Sequence, residues 1–326
     1  MVGMRGTSVG EHAPIINAIK KNIIGGVLLF EYNLNPTNTQ KNLQTLTNNL
    51  QDAATIPLFI SIDQEGGKVN RLKTKYGFAP MPSAKEIGNK HSDAFTQKCG
   101  ETTATALQKS GININFAPVL DVYNPTCPVL GKVDRCYSNN VDTISHIAAI
   151  IIDEHTKKGI HIVLKHFPGH GNSLNDSHKG LVDVSKYWSK DELLPYKNLL
   201  AENKVHAIMT AHIINKNIDP SGLPATLSKT TITDLLRKTM GYDGVVFSDD
   251  MQMHAISSFY GFEQSIKMAI NAGVDILIFS NNIDKATNYT PENIHATIKK
   301  MVLTQQINMD RINESFQRIM SLKMSR

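Results

Sequence analysis

Eight short apolar runs punctuate the chain: MVGM at its start, GGVLLF (25–30), LFISID (58–63), INFAPVLD (114–121), HIVLKH (161–166), HAIMTAH (206–212), GVVFSDD (244–250) and DILIFS (275–280). They are continuous rather than alternating, the pattern of strands covered on both faces. The stretches between them carry helical features. NPTNTQKNLQTLTNNLQDAA opens on Asn and Thr and repeats apolar residues at three- and four-residue spacing. SKTTITDLLRKTMG offers Ser228 as an N-cap and ends on Gly241, and GFEQSIKMAINAG ends on Gly273. Strands alternating with helices predict an α/β fold, a (β/α)8 TIM-like barrel. The alternative is a doubly wound open sheet, but no G-x-G-x-x-G follows an early strand. With no low-complexity stretch or Pro/Ser-rich linker, residues 1–326 read as a single domain.

The polar residues fall at the C-terminal end of each run: Asp63, Asp121, Lys165 with His166, His212, Asp249 and Ser280. In a barrel these ends share one rim, where active sites are built. Polar strand ends can simply meet solvent, but here most carry Asp, Lys or His rather than Ser, Asn or Gly.

Composition narrows the partners. The chain is 41% hydrophobic and 19% charged, with net charge +5. Its cations are spread out rather than clustered, so no nucleic-acid footprint is expected. No apolar run reaches the 18 residues of a membrane span, and no signal peptide is visible. MVGMRG reads as a strand already in progress, so the N-terminus is compatible with a truncated leader. Three cysteines, Cys99, Cys127 and Cys136, fit a reducing, cytoplasmic compartment. The alternative is a periplasmic or secreted protein in which Cys127 pairs with Cys136.

The segment KHFPGHGNSLNDSH (165–178) concentrates one Lys, three His and one Asp around Pro168 and Gly169. Its histidines could ligate a metal, yet Pro168 and Gly169 break the helix that His-x3-His would need. They could be held by neighbouring backbone, the usual fate of a single His. Or they could do acid/base work: Asp176 lies two residues before His178, and a bend would let its carboxylate raise the basicity of the imidazole. The Gly and Asn content of GHGNSLND predicts a mobile loop that closes over substrate. FSDDMQM supplies the matching carboxylates. Successive strand side chains alternate faces, so only one of Asp249 and Asp250 is expected to face the pocket. A carboxylate nucleophile and a proton donor on opposite sides of an anomeric carbon make a retaining glycosidase.

SIDQEGGKVNRL, NFAPVLDV, KHFPGHGNSLNDSH, MTAH and GVVFSDDMQM together resemble glycoside hydrolase family 3, specifically the single-domain bacterial β-N-acetylglucosaminidases of peptidoglycan turnover. The resemblance runs from about residue 3 to 285, and the last 40 residues read as closing helices. It implies Asp249 as nucleophile and His178 with Asp176 as the acid/base dyad. It implies that Asp63, Arg71, Lys165 and His166 hold the sugar hydroxyls and that Arg135 contacts the sugar. His170, His212 and Met253 match further rim positions. No metal or organic cofactor is implied. Around 125–137 the sequence departs from the family pattern: RCY stands where Arg-Ser-Phe is usual.

The expectation is therefore a monomeric retaining exo-β-N-acetylglucosaminidase. It would release terminal GlcNAc from β-1,4-linked GlcNAc–(anhydro)MurNAc muropeptides. A phosphorylase on the same fold is the alternative, since an imidazole tolerates incoming phosphate where a carboxylate repels it. A sugar-binding protein without catalysis and a metal-dependent hydrolase are further rivals.

Overall fold

The computed structural model describes residues 1–176, 180–282 and 289–325. All eight apolar runs contribute strands: β1 (Val2–Gly3), β2 (Gly26–Leu29), β3 (Phe59–Ile62), β4 (Ile114–Asn115), β5 (His161–Phe167), β6 (Ala207–Thr210), β7 (Val245–Asp250) and β8 (Ile276–Ile278). Neighbours in this order pair in parallel. The sheet closes on itself, because the Gly3 N–H donates to the Phe279 carbonyl at 2.8 Å and the Phe279 N–H to that of Met1 at 3.0 Å. The fold is a TIM-like (β/α)8 barrel.

The continuous apolar runs follow from burial on two sides. Leu28, Phe59, Val163, Met209, Phe247 and Ile278 form one cluster with Phe116, whose ring meets that of Phe247 edge-on at 5.6 Å. Their strand neighbours Val27, Ile60, Leu164, Ile208 and Val246 belong to two other clusters, shared with the helices. Helix Thr39–Asp52 docks through Leu43, Leu46 and Leu50, all at most 1% exposed. Burying a Leu fully is worth about 1.5–3 kcal/mol, enough to seat a helix of otherwise polar sequence.

The run 114–121 contributes a strand of only two residues. Pro118 has no N–H to donate, and only Ile114–Asn115 pairs regularly. Leu120 still donates to the Lys165 carbonyl at 2.7 Å, so the segment stays on the barrel and carries Asp121 to the rim. Ser228 caps as expected: its Oγ accepts from the Thr231 N–H at 2.9 Å. The helix it opens, Thr230–Thr239, is wound as a π-helix. Gly241 and Gly273 follow their helices at φ +74° and +118°, where a Cβ would be strained. Helices Pro291–Leu303 and Met309–Met324 close the chain.

Candidate active site

The strand ends converge. Asp63, Lys165, His166, Asp249, Asp250 and Ser280 line a cavity of about 290 Å³ at the C-terminal rim, together with Arg71, Arg135, His170 and Met253. Its base is apolar, contributed by Leu28, Phe116, Met209 and Ile278. A few aimed polar groups over an apolar base suit an oriented small ligand.

One wall is an ion network. The Lys165 ammonium is 3% exposed and lies 2.8 Å from Asp63 and 2.7 Å from Glu65. The Arg135 guanidinium grips Glu65 with two bonds of 2.8 Å and donates to the Val129 carbonyl at 3.0 Å. Burial works to raise the Glu65 pKa, but Arg135 and Lys165 outweigh it and hold the carboxyl well below the usual range. Burial likewise opposes the charge on Lys165, and Asp63 with Glu65 reverses that and raises its pKa. Glu65 is thus a site residue that sequence reasoning passed over as part of the turn QEGG. Arg71 is held more loosely: it stands 3.9 Å from Asp63 and about 6 Å from the Phe30 ring, and its Nε is buried with no hydrogen-bond partner among the described residues. Of the two arginines, Arg71 has the guanidinium with unspent donors.

Asp121 organises the second wall. It accepts from His166 Nδ1 at 2.7 Å and from the His170 N–H at 2.6 Å. Burial tends to raise its pKa, but His166 and then His170 bring it below normal. The bond from Nδ1 leaves His166 Nε2 toward the cavity, 3.5 Å from Arg135. His170 is deeply buried, which with neighbouring His166 lowers its pKa to about 4, and its Nδ1 lies 2.5 Å from Ser173 Oγ. It is therefore a neutral imidazole at physiological pH.

At the end of β7 both carboxylates line the cavity, contrary to the alternation expected from an ideal strand. Their surroundings differ instead. Asp249 is half-buried, and its Oδ1 accepts the Asp250 N–H at 2.7 Å. Asp250 is committed to the protein: it accepts from the Ser280 hydroxyl, and from the Ser280 and Gln252 N–H groups at 3.1 Å each. Burial pushes its pKa up to about 6, against those hydrogen bonds.

Three expectations change. His212 does not line the cavity but is fully buried beside it, bridging Thr226 Oγ1 at 2.8 Å and the Asp250 carbonyl at 2.9 Å. Cys127 and Cys136 do not pair; both are buried free thiols packed with Val119 and Leu130. The glycines of GHG do not mark a loose loop over residues 169–173. His170 and Ser173 are at most 3% exposed, and a Cβ on Gly171 would overlap the Val122 carbonyl. Here glycine serves close approach, not mobility. Asp176 is half-buried and outside the cavity lining of the described residues. His178 lies outside the described residues.

A larger groove of about 540 Å³ opens at the opposite end of the barrel, among Gly25, Phe59, Ile276 and the two closing helices. Its carboxylate, Asp275, is neutralised by Arg237 and Arg311 at 2.7 Å each. The smaller cavity, lined by both carboxylates and cations, is the candidate active site.

A closed barrel with an acidic, cation-braced cup at its C-terminal rim defines a TIM-barrel protein built to bind a polar small ligand and suited to acid/base or nucleophilic chemistry. The glycosyl hydrolase family 3 N-terminal domain matches residues 4–322. The chain belongs to glycoside hydrolase family 3. It is 34% identical to β-hexosaminidase A of Pseudoalteromonas piscicida over 92% of its own length and 53% of that protein's. It is 34% identical to a β-hexosaminidase of Tolumonas auensis, covering 79% of this chain and 76% of that one. It thus spans about half the length of the first relative and about three quarters of the second. Among solved structures, a family 3 β-N-acetylglucosaminidase from Paenibacillus sp. superposes with a TM-score of 0.90 at 32% identity, covering all of this chain and 60% of that one. A β-N-acetylhexosaminidase from Beutenbergia cavernae superposes at 0.86 and 26% identity, covering 99% and 95%.

Proposed function

We propose that the chain is a retaining exo-β-N-acetylglucosaminidase acting on GlcNAc-terminated muropeptides, with Asp249 as nucleophile and His178, assisted by Asp176, as acid/base. The observation that carries the reading is the placement of the two carboxylates at the end of β7: Asp250 is tied up by Ser280 and Gln252, while the Asp249 carboxylate, which accepts the Asp250 N–H, lines the open cavity beside Asp63, Lys165 and His166. In the first step an Asp249 oxygen bonds to the anomeric carbon as the bond to the aglycone oxygen breaks, and that oxygen takes a proton from His178. In the second, water attacks the same carbon, His178 takes the water's proton, and Asp249 leaves as carboxylate. Asp63, Lys165 and His166 present an acceptor, a cation and an imidazole to the sugar hydroxyls, and Arg71 adds its unspent donors.

The similarity to β-hexosaminidases and to a family 3 β-N-acetylglucosaminidase supports the β-hexosaminidase activity. The +5 charge suits an acidic muropeptide. The test is proton NMR of an aryl N-acetyl-β-glucosaminide during turnover, run with and without phosphate. The β-anomer of GlcNAc should form first in both buffers. First-formed α-anomer would overturn retention, and a sugar-1-phosphate would make the protein a phosphorylase.

A further inference from the structure

Glu192 is 1% exposed, carries no part of the proposed chemistry, and sits directly beneath the segment that leaves β5. Its Oε2 accepts the Gly171 N–H at 3.1 Å, and its Oε1 accepts the Asn172 side-chain amide at 2.8 Å. Asn172 in turn accepts from Asn124 Nδ2 at 2.9 Å, so the contact extends to the loop after Asp121. The packing is as close as the bonding. A Cβ on Gly169 would come within 2.5 Å of Glu192 Cβ, and Gly169 has φ +117°. Trp188 Nε1 donates to the Pro168 carbonyl at 3.1 Å from the same side. The carboxyl is presented by the 3-10 turn Lys190–Leu193, which Ser189 caps through the Asp191 N–H.

We propose that Glu192 is a positioning residue: it fixes residues 169–172 against the barrel and thereby sets the start of the loop that runs on to Asp176. Two buried carboxyls then divide the segment, Asp121 holding His166 and His170 and Glu192 holding Gly171 and Asn172. Among the described residues, the titratable groups whose charge bears on Glu192 are Asp121, Tyr196 and Cys136, none of them cationic. Burial first, then Asp121, pushes its pKa up to about 8, which favours the protonated acid. Gln is therefore its conservative replacement, keeping one acceptor and the charge state.

The test is amide hydrogen exchange on the full chain, wild type against Glu192→Ala, Glu192→Gln and Asn172→Ala. We expect exchange at Gly171 and Asn172 to accelerate at least tenfold in Glu192→Ala, with β5 and β7 amides unchanged, and Glu192→Gln to lie between. Asn172→Ala, which leaves Glu192 in place, should accelerate the Gly171 amide by a smaller factor and decides the matter if Glu192→Ala fails to fold. Unchanged exchange at Gly171, or equal acceleration through the barrel, overturns the proposal. The consequence for turnover rests on the glycosidase reading: Glu192→Gln should slow GlcNAc glycosides with poor leaving groups more than nitrophenyl ones, and equal losses would contradict it. A wild type inactive on both substrates would sink the glycosidase reading, whereas the exchange result stands apart from it.

Discussion

The Arg135 guanidinium holds Glu65 with two parallel bonds of 2.8 Å, across 70 residues of sequence and beneath the wall of the cavity. This is bidentate pairing of a planar fork to a carboxylate, and Lys165 shares the Glu65 Oε1 with it at 2.7 Å. Arg135 therefore braces the cup, while the Nε of Arg71, which also lines it, has no hydrogen-bond partner among the described residues.

Glu65→Gln should strip two buried cations of their shared partner. Breaking a buried pair from one side costs about 3–5 kcal/mol, so thermal unfolding should shift down by several degrees. The Glu65 pKa is depressed, so its contribution is present above the ordinary carboxylate pKa of about 4.3 and fades as pH falls below it. The gap in Tm between wild type and variant should be widest near pH 7 and shrink toward pH 3. A gap constant with pH would refute the pairing.

Asp250 runs the other way. Its folded pKa is raised to about 6, so the stability it allows is full below its ordinary value near 3.8 and is lost as pH rises through 6. Asp250→Asn has no such loss. The Tm difference, variant minus wild type, should increase from pH 4 to pH 7; parallel curves would contradict the burial argument.

His212→Ala should act on catalysis from behind. It removes the group that accepts or donates at Thr226 and the Asp250 carbonyl, leaving buried polar atoms short of a partner at about 1–3 kcal/mol. With the end of β7 less firmly held, kcat should fall about tenfold or more while KM changes little. A change confined to KM would indicate direct substrate contact instead.

Gly171→Ala should destabilise the protein by about 1–3 kcal/mol, because its Cβ would meet the Val122 backbone, which cannot swing aside as a side chain would. Gly25→Ala, where a Cβ has open space, should stay within about 0.5 kcal/mol of wild type. Denaturant unfolding of the two variants separates tight packing at 169–173 from a merely flexible glycine run.

The barrel was legible because parallel strands covered on both faces need unbroken apolar runs, and helix ends such as Ser228 and Gly273 follow local backbone chemistry. The rim was legible because polar residues stop those runs. What stayed hidden depends on partners distant in sequence. Glu65 lies in a turn and has meaning only once Lys165 and Arg135 arrive from 100 and 70 residues away. Glu192 sits in DELL, an ordinary helix start, until it meets Gly171. His212 ends its run as the rim residues do, yet its ring is spent on Thr226 and the Asp250 carbonyl, partners 14 and 38 residues away. The glycines of GHG give the same letters for a loose loop and for a backbone pressed on Val122 and Glu192; only the neighbours distinguish them.

The central claim is that the Asp249 carboxylate becomes bonded to the sugar. Incubating the protein with a 5-fluoro N-acetylglucosaminyl donor, digesting it and sequencing the labelled peptide by mass spectrometry tests this most directly. The account predicts one added glycosyl group on the peptide containing residues 245–253, at Asp249, and none in Asp249→Ala. A label on Asp250 or on any residue outside that peptide would contradict it, as would turnover in Asp249→Ala above about a tenth of wild type.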